Sequence, residues 1–374
     1  MEWSNYRNIL CVRADNMGDI LMTTPALRAL KETFGCSITL LTSTMGSLIT
    51  PYIQFIDQTI EFDLSWVKSH TAYPPAEYFQ LIEKLKRYQF DAAIIFTVYS
   101  QNPLPTALLL YMADIPVRLA YCRENPYQLL THWIPDKEPY SFIQHQVKRD
   151  LALVAATGAK TTDESLSLSF SKKRFYTTQE KLAACGVDIN QEYILIHPGV
   201  SETKREYPRD LWIKTVQLIH QHTKKQILLT GAENEKQLTD YIQIRSGEGS
   251  FSTAGLLDIE EFIALISHAP LLISVNTSAV HIAAALKTPV IVLYALTNPQ
   301  HEPWMTRSVV LPFEVPKKLQ SRNQVIQYVN ETHFNDHIAF PTPEKILANA
   351  MILLGEKRKS AATVQRTGLK LLNE

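Results

Sequence analysis

Polar residues able to do chemistry recur in this chain where a short apolar run gives way to a helical pattern. The first such junction is Arg13-Ala-Asp-Asn-Met-Gly-Asp19, between the apolar Ile9–Val12 and a helical pattern from about Ile20 to Thr33. Gly18 suits a turn that holds an unusual φ or lets another molecule approach the backbone, and Asn16 and Met17 complete that turn. Asp19 falls where turn meets helix, so its carboxylate can cap free amides. In an α/β chain the same spot is the carboxyl edge of the sheet, where ligands bind. On this stretch alone, capping is the simpler reading.

The second junction is His197-Pro-Gly-Val-Ser-Glu-Thr-Lys-Arg-Glu-Tyr-Pro208. Loop amides and a following helix N-terminus can face an anion there. Gly199 permits close approach, Ser201 and Thr203 offer hydroxyls, and Lys204 and Arg205 offer charge, a set that suits a phosphate or diphosphate. An ordinary basic surface loop reads the same way, and the Gly-x-x-x-x-Gly-Lys of a P-loop is absent. A third junction, Ser274-Val-Asn-Thr-Ser-Ala-Val-His281, sets Asn276, Thr277 and Ser278 at the start of a small-residue helix, a second anion or sugar site. His281, one turn inside, either reaches a ligand or packs beneath it. Thr230-Gly-Ala-Glu-Asn-Glu235 places Glu235 to accept from ribose hydroxyls, and Val292 to Trp304 is a further polar strand end. Several polar strand ends in one half point to one large polar ligand, as a nucleotide-sugar is.

The elements that position these junctions alternate. Strands are expected at Ile9–Val12, Ser37–Thr42, Ile60–Phe62, Phe90–Thr97 and Pro116–Ala120, and again at Tyr193–His197, Gln226–Thr230, Leu271–Val275 and Val290–Tyr294. Helical spacing fills the intervals, including Tyr78–Tyr88, Leu104–Met112, Val147–Thr157, Pro208–His222, Glu235–Arg245, Ile259–Ser267 and Pro343–Leu354. The class is α/β, with doubly wound parallel sheets. His132–His145 reads as a long loop, Gln320–Asp336 as polar and irregular, and Thr161–Thr178 as the interdomain connection, its Ser-Leu-Ser-Leu-Ser at 165–169 patterned as one exposed strand. The expected division is 1–170, 171–340, and a C-terminal helix and basic tail, 341–374, able to pack back on the N-terminal domain.

At 374 residues the chain exceeds one ordinary core. It carries 37 basic against 37 acidic residues, a balance that gives no support to nucleic acid as a partner. Cys11, Cys36, Cys122 and Cys185 have no metal-ligand spacing, which suits a reduced, cytoplasmic protein. No signal core or spanning run is present, so membrane contact would be peripheral, the basic stretch Lys357–Lys370 being one means of meeting the inner membrane.

Four pieces in register carry a family resemblance: Asn16-Met-Gly-Asp-Ile-Leu-Met-Thr-Thr-Pro-Ala-Leu27, His197-Pro-Gly with Lys204, Thr230-Gly-Ala, and Val275-Asn-Thr-Ser-Ala-Val-His-Ile-Ala-Ala-Ala-Leu286. From about residue 7 to 305 the chain resembles the family 9 glycosyltransferases, the heptosyltransferase-like enzymes of lipopolysaccharide core assembly. The resemblance implies a GT-B fold of two facing Rossmann-like domains, the first binding the acceptor and the second a nucleotide-diphosphate sugar. It implies inverting transfer to a hydroxyl of a lipopolysaccharide or other surface glycan, with no metal and no cofactor. By position Asp19 is the general base, beside the acceptor-side turn Asn16, Met17 and Gly18. Lys204 holds the diphosphate and Glu235 the nucleoside. Asn276, Thr277, Ser278 and His281 line diphosphate and sugar, with Gly199, Ser201, Arg205 and Leu257 on the same donor side.

Heptosyltransferases usually carry an Asp and a Gly where this chain has Asn276 and Ser278, and Lys-x-Trp-Pro where it has Lys-Arg-Glu-Tyr-Pro. Counting from His197 selects Lys204, counting from Pro208 selects Arg205, and Lys204 is preferred. The alternative function is a non-catalytic nucleotide-sugar-binding protein. An NAD enzyme ranks last, for want of a Gly-x-Gly-x-x-Gly after any strand.

Overall fold

A computed structural model of the chain describes residues 3–67, 73–334 and 337–355. The described residues form two compact units that meet in sequence at Ser169 and Phe170.

The first unit runs β1 (Asn8–Val12), α1 (Met17–Phe34), β2 (Ser37–Thr42), α2 (Thr44–Ser47), β3 (Gln58–Glu61), α3 (Pro75–Tyr88), β4 (Ala92–Ile95), α4 (Leu104–Met112), β5 (Val117–Cys122), β6 (His132–Pro135) and α5 (Gln146–Ala155). Its six strands are parallel in the order β3-β2-β1-β4-β5-β6. Leu10 and Val12 of β1, Ala93 and Ile95 of β4, and Leu81, Leu85, Ala107 and Leu110 of α3 and α4 share one buried cluster. Helix α1 tolerates Pro25 because the carbonyl that loses its amide donor, that of Leu21, accepts instead from Thr24 Oγ1 at 2.7 Å.

The second unit runs α6 (Arg174–Ala184), β7 (Tyr193–His197), α7 (Arg209–Thr223), β8 (Gln226–Leu229), α8 (Lys236–Ser246), β9 (Ser250–Ser252), α9 (Ile259–His268), β10 (Leu272–Val275), α10 (Ser278–Ala285), β11 (Val290–Ala295), β12 (Ser308–Phe313), α11 (Gln324–His333) and α12 (Pro343–Leu353). Its six strands are also parallel, ordered β12-β11-β10-β7-β8-β9. Each sheet changes direction of winding once, between β1 and β4 in the first and between β7 and β10 in the second. A parallel sheet opens a crevice at that point, because the loops on either side leave for opposite faces.

Several expectations are corrected. His132–His145 is not all loop: its first four residues form β6, a parallel edge strand on β5. The irregular stretch Gln320–Asp336 contains helix α11, started by Asn323, whose side chain accepts from the amides of Val325 and Ile326. Ser165–Ser169 is not a strand. Arg28 Nη1 donates to the Ser165 carbonyl at 2.9 Å, and the Ser167 and Ser169 amides donate to Thr24 Oγ1 and the Tyr52 carbonyl, so the segment is bound to α1 and to the turn at Tyr52. The connection ends earlier than expected, at α6, and the short strands β9 and β12 had no distinct signal. Ile346, Ala350 and Leu353 build α12 into the second unit's core, where α7 contributes Trp212, Val216 and Ile219. The basic tail Lys357–Lys370 lies outside the described residues.

Candidate functional site

In the first unit the switch point between β1 and β4 carries Asp19. The carboxylate stands at the third position of α1, and its Oδ2 accepts from the amide of Asn16, the N-cap residue, at 3.3 Å. Oδ1 accepts from Nη2 of Arg13 at 3.1 Å. Asp19 thus caps its helix and is also held by a fully buried guanidinium. Asn16 is exposed and Met17 half-buried, whereas Gly18 is buried inside the first turn of α1 and not at a left-handed turn, so the expected unusual φ is absent.

Arg13 serves more than Asp19. Its Nε lies 3.1 Å from Asp15 Oδ2 and its Nη1 3.9 Å from Asp150 Oδ1 on α5. Gln101, from the loop after β4, donates to Asp15 Oδ1 at 2.5 Å. Gln146 Nε2 and Thr23 Oγ1 each lie 2.7 Å from an oxygen of Asp150. Burial lifts the Asp15 carboxyl to about 6, against the pull of Arg13, and burial does the same to Asp150. Burial also weakens the guanidinium's charge, but Asp15, Asp150 and Asp19 more than offset it and hold Arg13 protonated. Sequence reasoning missed Arg13, Asp15, Gln101 and Asp150. The first two share the turn with Asp19 and were open to notice; the others come from distant elements and carry no local signal.

In the second unit the junctions converge at the edge of β7, β8 and β10. His197 Nδ1 lies 3.0 Å from Thr230 Oγ1, and Ser274 Oγ donates to the His197 carbonyl at 3.2 Å. Burial holds the imidazole of His197 below its usual pKa, opposed by the Glu235 carboxylate. The Glu235 carboxylate is committed locally: Oε2 accepts from the Ala232 amide at 2.7 Å, and a Cβ on Gly199 would lie 2.0 Å from Oε1. A side chain at residue 199 would therefore displace the Glu235 carboxylate.

The basic pair is divided. Lys204 Nζ lies 2.7 Å from Glu202 Oε2, while Arg205 reaches Glu202 Oε1 at 3.2 Å and also donates from Nη1 to the Asn276 carbonyl at 3.2 Å. Arg205, rather than Lys204, is the cation that joins the loop after β7 to the turn after β10. The Asn276 side chain faces the end of β11, accepting from the Ala295 amide at 3.1 Å and donating toward the Ala295 carbonyl and Thr297 Oγ1. Thr277 is the N-cap of α10, yet its side chain makes no capping bond and its Oγ1 lies 3.2 Å from Ser274 Oγ. The helix N-terminus is left for another acceptor. Ser278 opens that helix, and the buried ring of His281 stands edge-on to His301 at 6.4 Å. Ser201 is exposed on its loop, and Leu257 is half-buried just before Asp258, the N-cap of α9. Among the described residues no group of three or more His, Cys, Asp or Glu is arranged to hold a metal ion.

The chain is similar to lipopolysaccharide heptosyltransferase 3 of Escherichia coli, at 22% identity over 75% of this chain and 81% of the relative. In structure it is similar to a family 9 glycosyl transferase from Veillonella parvula, with a TM-score of 0.77 at 16% identity over 96% of this chain and 99% of the other. It is likewise similar to the E. coli ADP-heptose lipopolysaccharide heptosyltransferase II, with a TM-score of 0.69 at 17% identity over 93% and 99%. These likenesses establish the GT-B fold expected from the motifs. Residues 78–327 match the family model for glycosyltransferase family 9 (heptosyltransferase), and the chain belongs to that family.

Proposed function

We propose that the chain is an inverting, metal-independent transferase that moves a heptose or related sugar from a nucleotide-diphosphate donor to a hydroxyl of a lipopolysaccharide core or similar surface glycan. The observation that carries the reading is a paired placement. A carboxylate held by a buried guanidinium stands at the switch point of one sheet, and a basic pair beside a helix N-terminus stands at that of the other. Asp19 takes the proton of the acceptor hydroxyl as that oxygen bonds to the anomeric carbon and the bond to the diphosphate breaks. Arg205, Lys204 and the first turn of α10 receive the charge that leaves with the nucleoside diphosphate. A diphosphate would take the place at the two cations that Glu202 fills in the free protein. In this reading the protein meets its acceptor peripherally at the cytoplasmic face of the inner membrane; among the described residues no helix is long and apolar enough to cross.

Substituting Asp19 by Asn tests the reading. Transfer should fall by about 10²-fold or more, while whichever of the ADP-, GDP- and UDP-sugars stabilises the parent chain should stabilise the variant equally. Unchanged turnover in this variant would remove Asp19 as the base. Absence of any shift with all three nucleotides would remove the donor site.

A further inference from the structure

The Arg13 guanidinium is completely buried, and the carboxylates it faces come from separate parts of the first unit. Asp15 belongs to the turn after β1, Asp19 to α1 and Asp150 to α5. Nη2 donates to Asp19, whereas Nε and Nη1 meet Asp15 and Asp150 outside hydrogen-bonding geometry. Each carboxylate also has a brace of its own: Gln101 on Asp15, Gln146 and Thr23 on Asp150, and the Asn16 amide on Asp19. The other nearby cation, Arg149, is engaged by Asp136 at 2.9 Å and Glu138 at 2.8 Å and acts on Asp150 more weakly than Arg13 does. Asp19 and Asp15 are 14% and 12% exposed and Asp150 only 2%, which leaves Asp150 the least able to lean on water for its charge.

We propose that Arg13 is a positioning residue for Asp19, and that Asp15 and Asp150, drawing on the same guanidinium, set how strongly it holds that carboxylate. The inference rests on the reading of Asp19 as the base. A carboxylate locked to a guanidinium of its own is well oriented but a weak base, because the cation favours its charged form. Sharing the cation keeps the orientation, through one N–H of a rigid fork, and dilutes the charge. Asp15 and Asp150 release their protons near pH 6, so the sharing is greatest from neutral pH upward. Their ionisation therefore raises the basicity of Asp19, by drawing on Arg13 and, for Asp15, also by direct repulsion between the two carboxylates.

The test is a carboxyl ¹³C titration of Asp19 in the full chain, its resonance assigned by loss in the Asp19→Asn variant. Asp15→Asn keeps the size of the side chain and the acceptor for Gln101 but removes one competitor. The Asp19 midpoint should fall by about half to one pH unit. Arg13→Lys keeps a cation but loses the fork, and the midpoint should rise. An unmoved midpoint in Asp15→Asn would overturn the inference, even where Arg13→Lys does not fold. The base reading fails by a separate result, full turnover in Asp19→Asn, so the two can be told apart.

Discussion

Arg205 Nη1 and the main-chain carbonyl of Asn276 are joined by a 3.2 Å hydrogen bond that closes the gap between the loop after β7 and the turn after β10. Lys204 makes no such crossing and is paired with Glu202. If that crossing places Arg205 nearer the donor diphosphate than Lys204, the two substitutions will differ in their cost. Arg205→Ala should raise the donor KM and lower kcat/KM by roughly 10–100-fold, the worth of a charge-assisted bond. Lys204→Ala should cost clearly less, as steady-state kinetics with the donor varied will show. Equal losses would return Lys204 to the leading position.

Glu202 faces both cations, so Glu202→Gln should leave them less neutralised before a nucleotide arrives. Binding of a nucleoside diphosphate should tighten by about twofold to fivefold, in keeping with a partly exposed ion pair. Titration calorimetry with ADP, GDP and UDP gives the comparison, and weaker binding in the variant would show that Glu202 supports the loop instead of competing for it.

Gly199 and Glu235 should behave as one unit, because a methyl at residue 199 displaces the carboxylate that caps Ala232. Gly199→Ala should destabilise by about 1 kcal/mol, the loss of such a cap. In an Glu235→Ala background the same change should cost much less. A double-mutant cycle on urea unfolding reads the coupling directly, and additive effects would dissolve the pair.

Asn276→Asp places a carboxylate where this chain uses both ends of a side-chain amide. The new oxygen would face the Ala295 carbonyl, which now accepts from Asn276 Nδ2. Stability should fall by about 1–3 kcal/mol at neutral pH, the penalty for an unpaired buried acceptor, with a matching drop in melting temperature. A rise in melting temperature would show that the turn adapts to a carboxylate.

Burial raises the Asp150 carboxyl from 3.8 to about 6, so the folded protein holds its proton more tightly than the unfolded chain does. Stability from this group is present below about pH 4 and is lost as pH rises through 6, up to about 3 kcal/mol in all. Asp150→Asn should therefore gain on the parent chain between pH 4 and pH 8. Its amide can keep both neighbours by accepting from Gln146 and donating to Thr23, whose hydroxyl then donates to the Asp19 carbonyl. A difference in melting temperature that is constant with pH would refute the buried-carboxyl account.

Much of this architecture was legible in the chain because strands and their junctions are local features. Apolar runs such as Ile9–Val12 and Tyr193–His197, each followed by a polar turn, marked the strand ends where Asp19, Lys204 and Asn276 stand. The family motifs occupy those same junctions. Strand order is not local. Only the folded sheets set β1 beside β4 and β7 beside β10, and so decided which junctions share a crevice. Burial decided the rest. It recruited Asp150 to α1 from 127 residues beyond Thr23 and aimed the Asn276 amide at Ala295. A side chain's type can be read from sequence, but which partner absorbs its hydrogen bonds and charge depends on what packing removes from water.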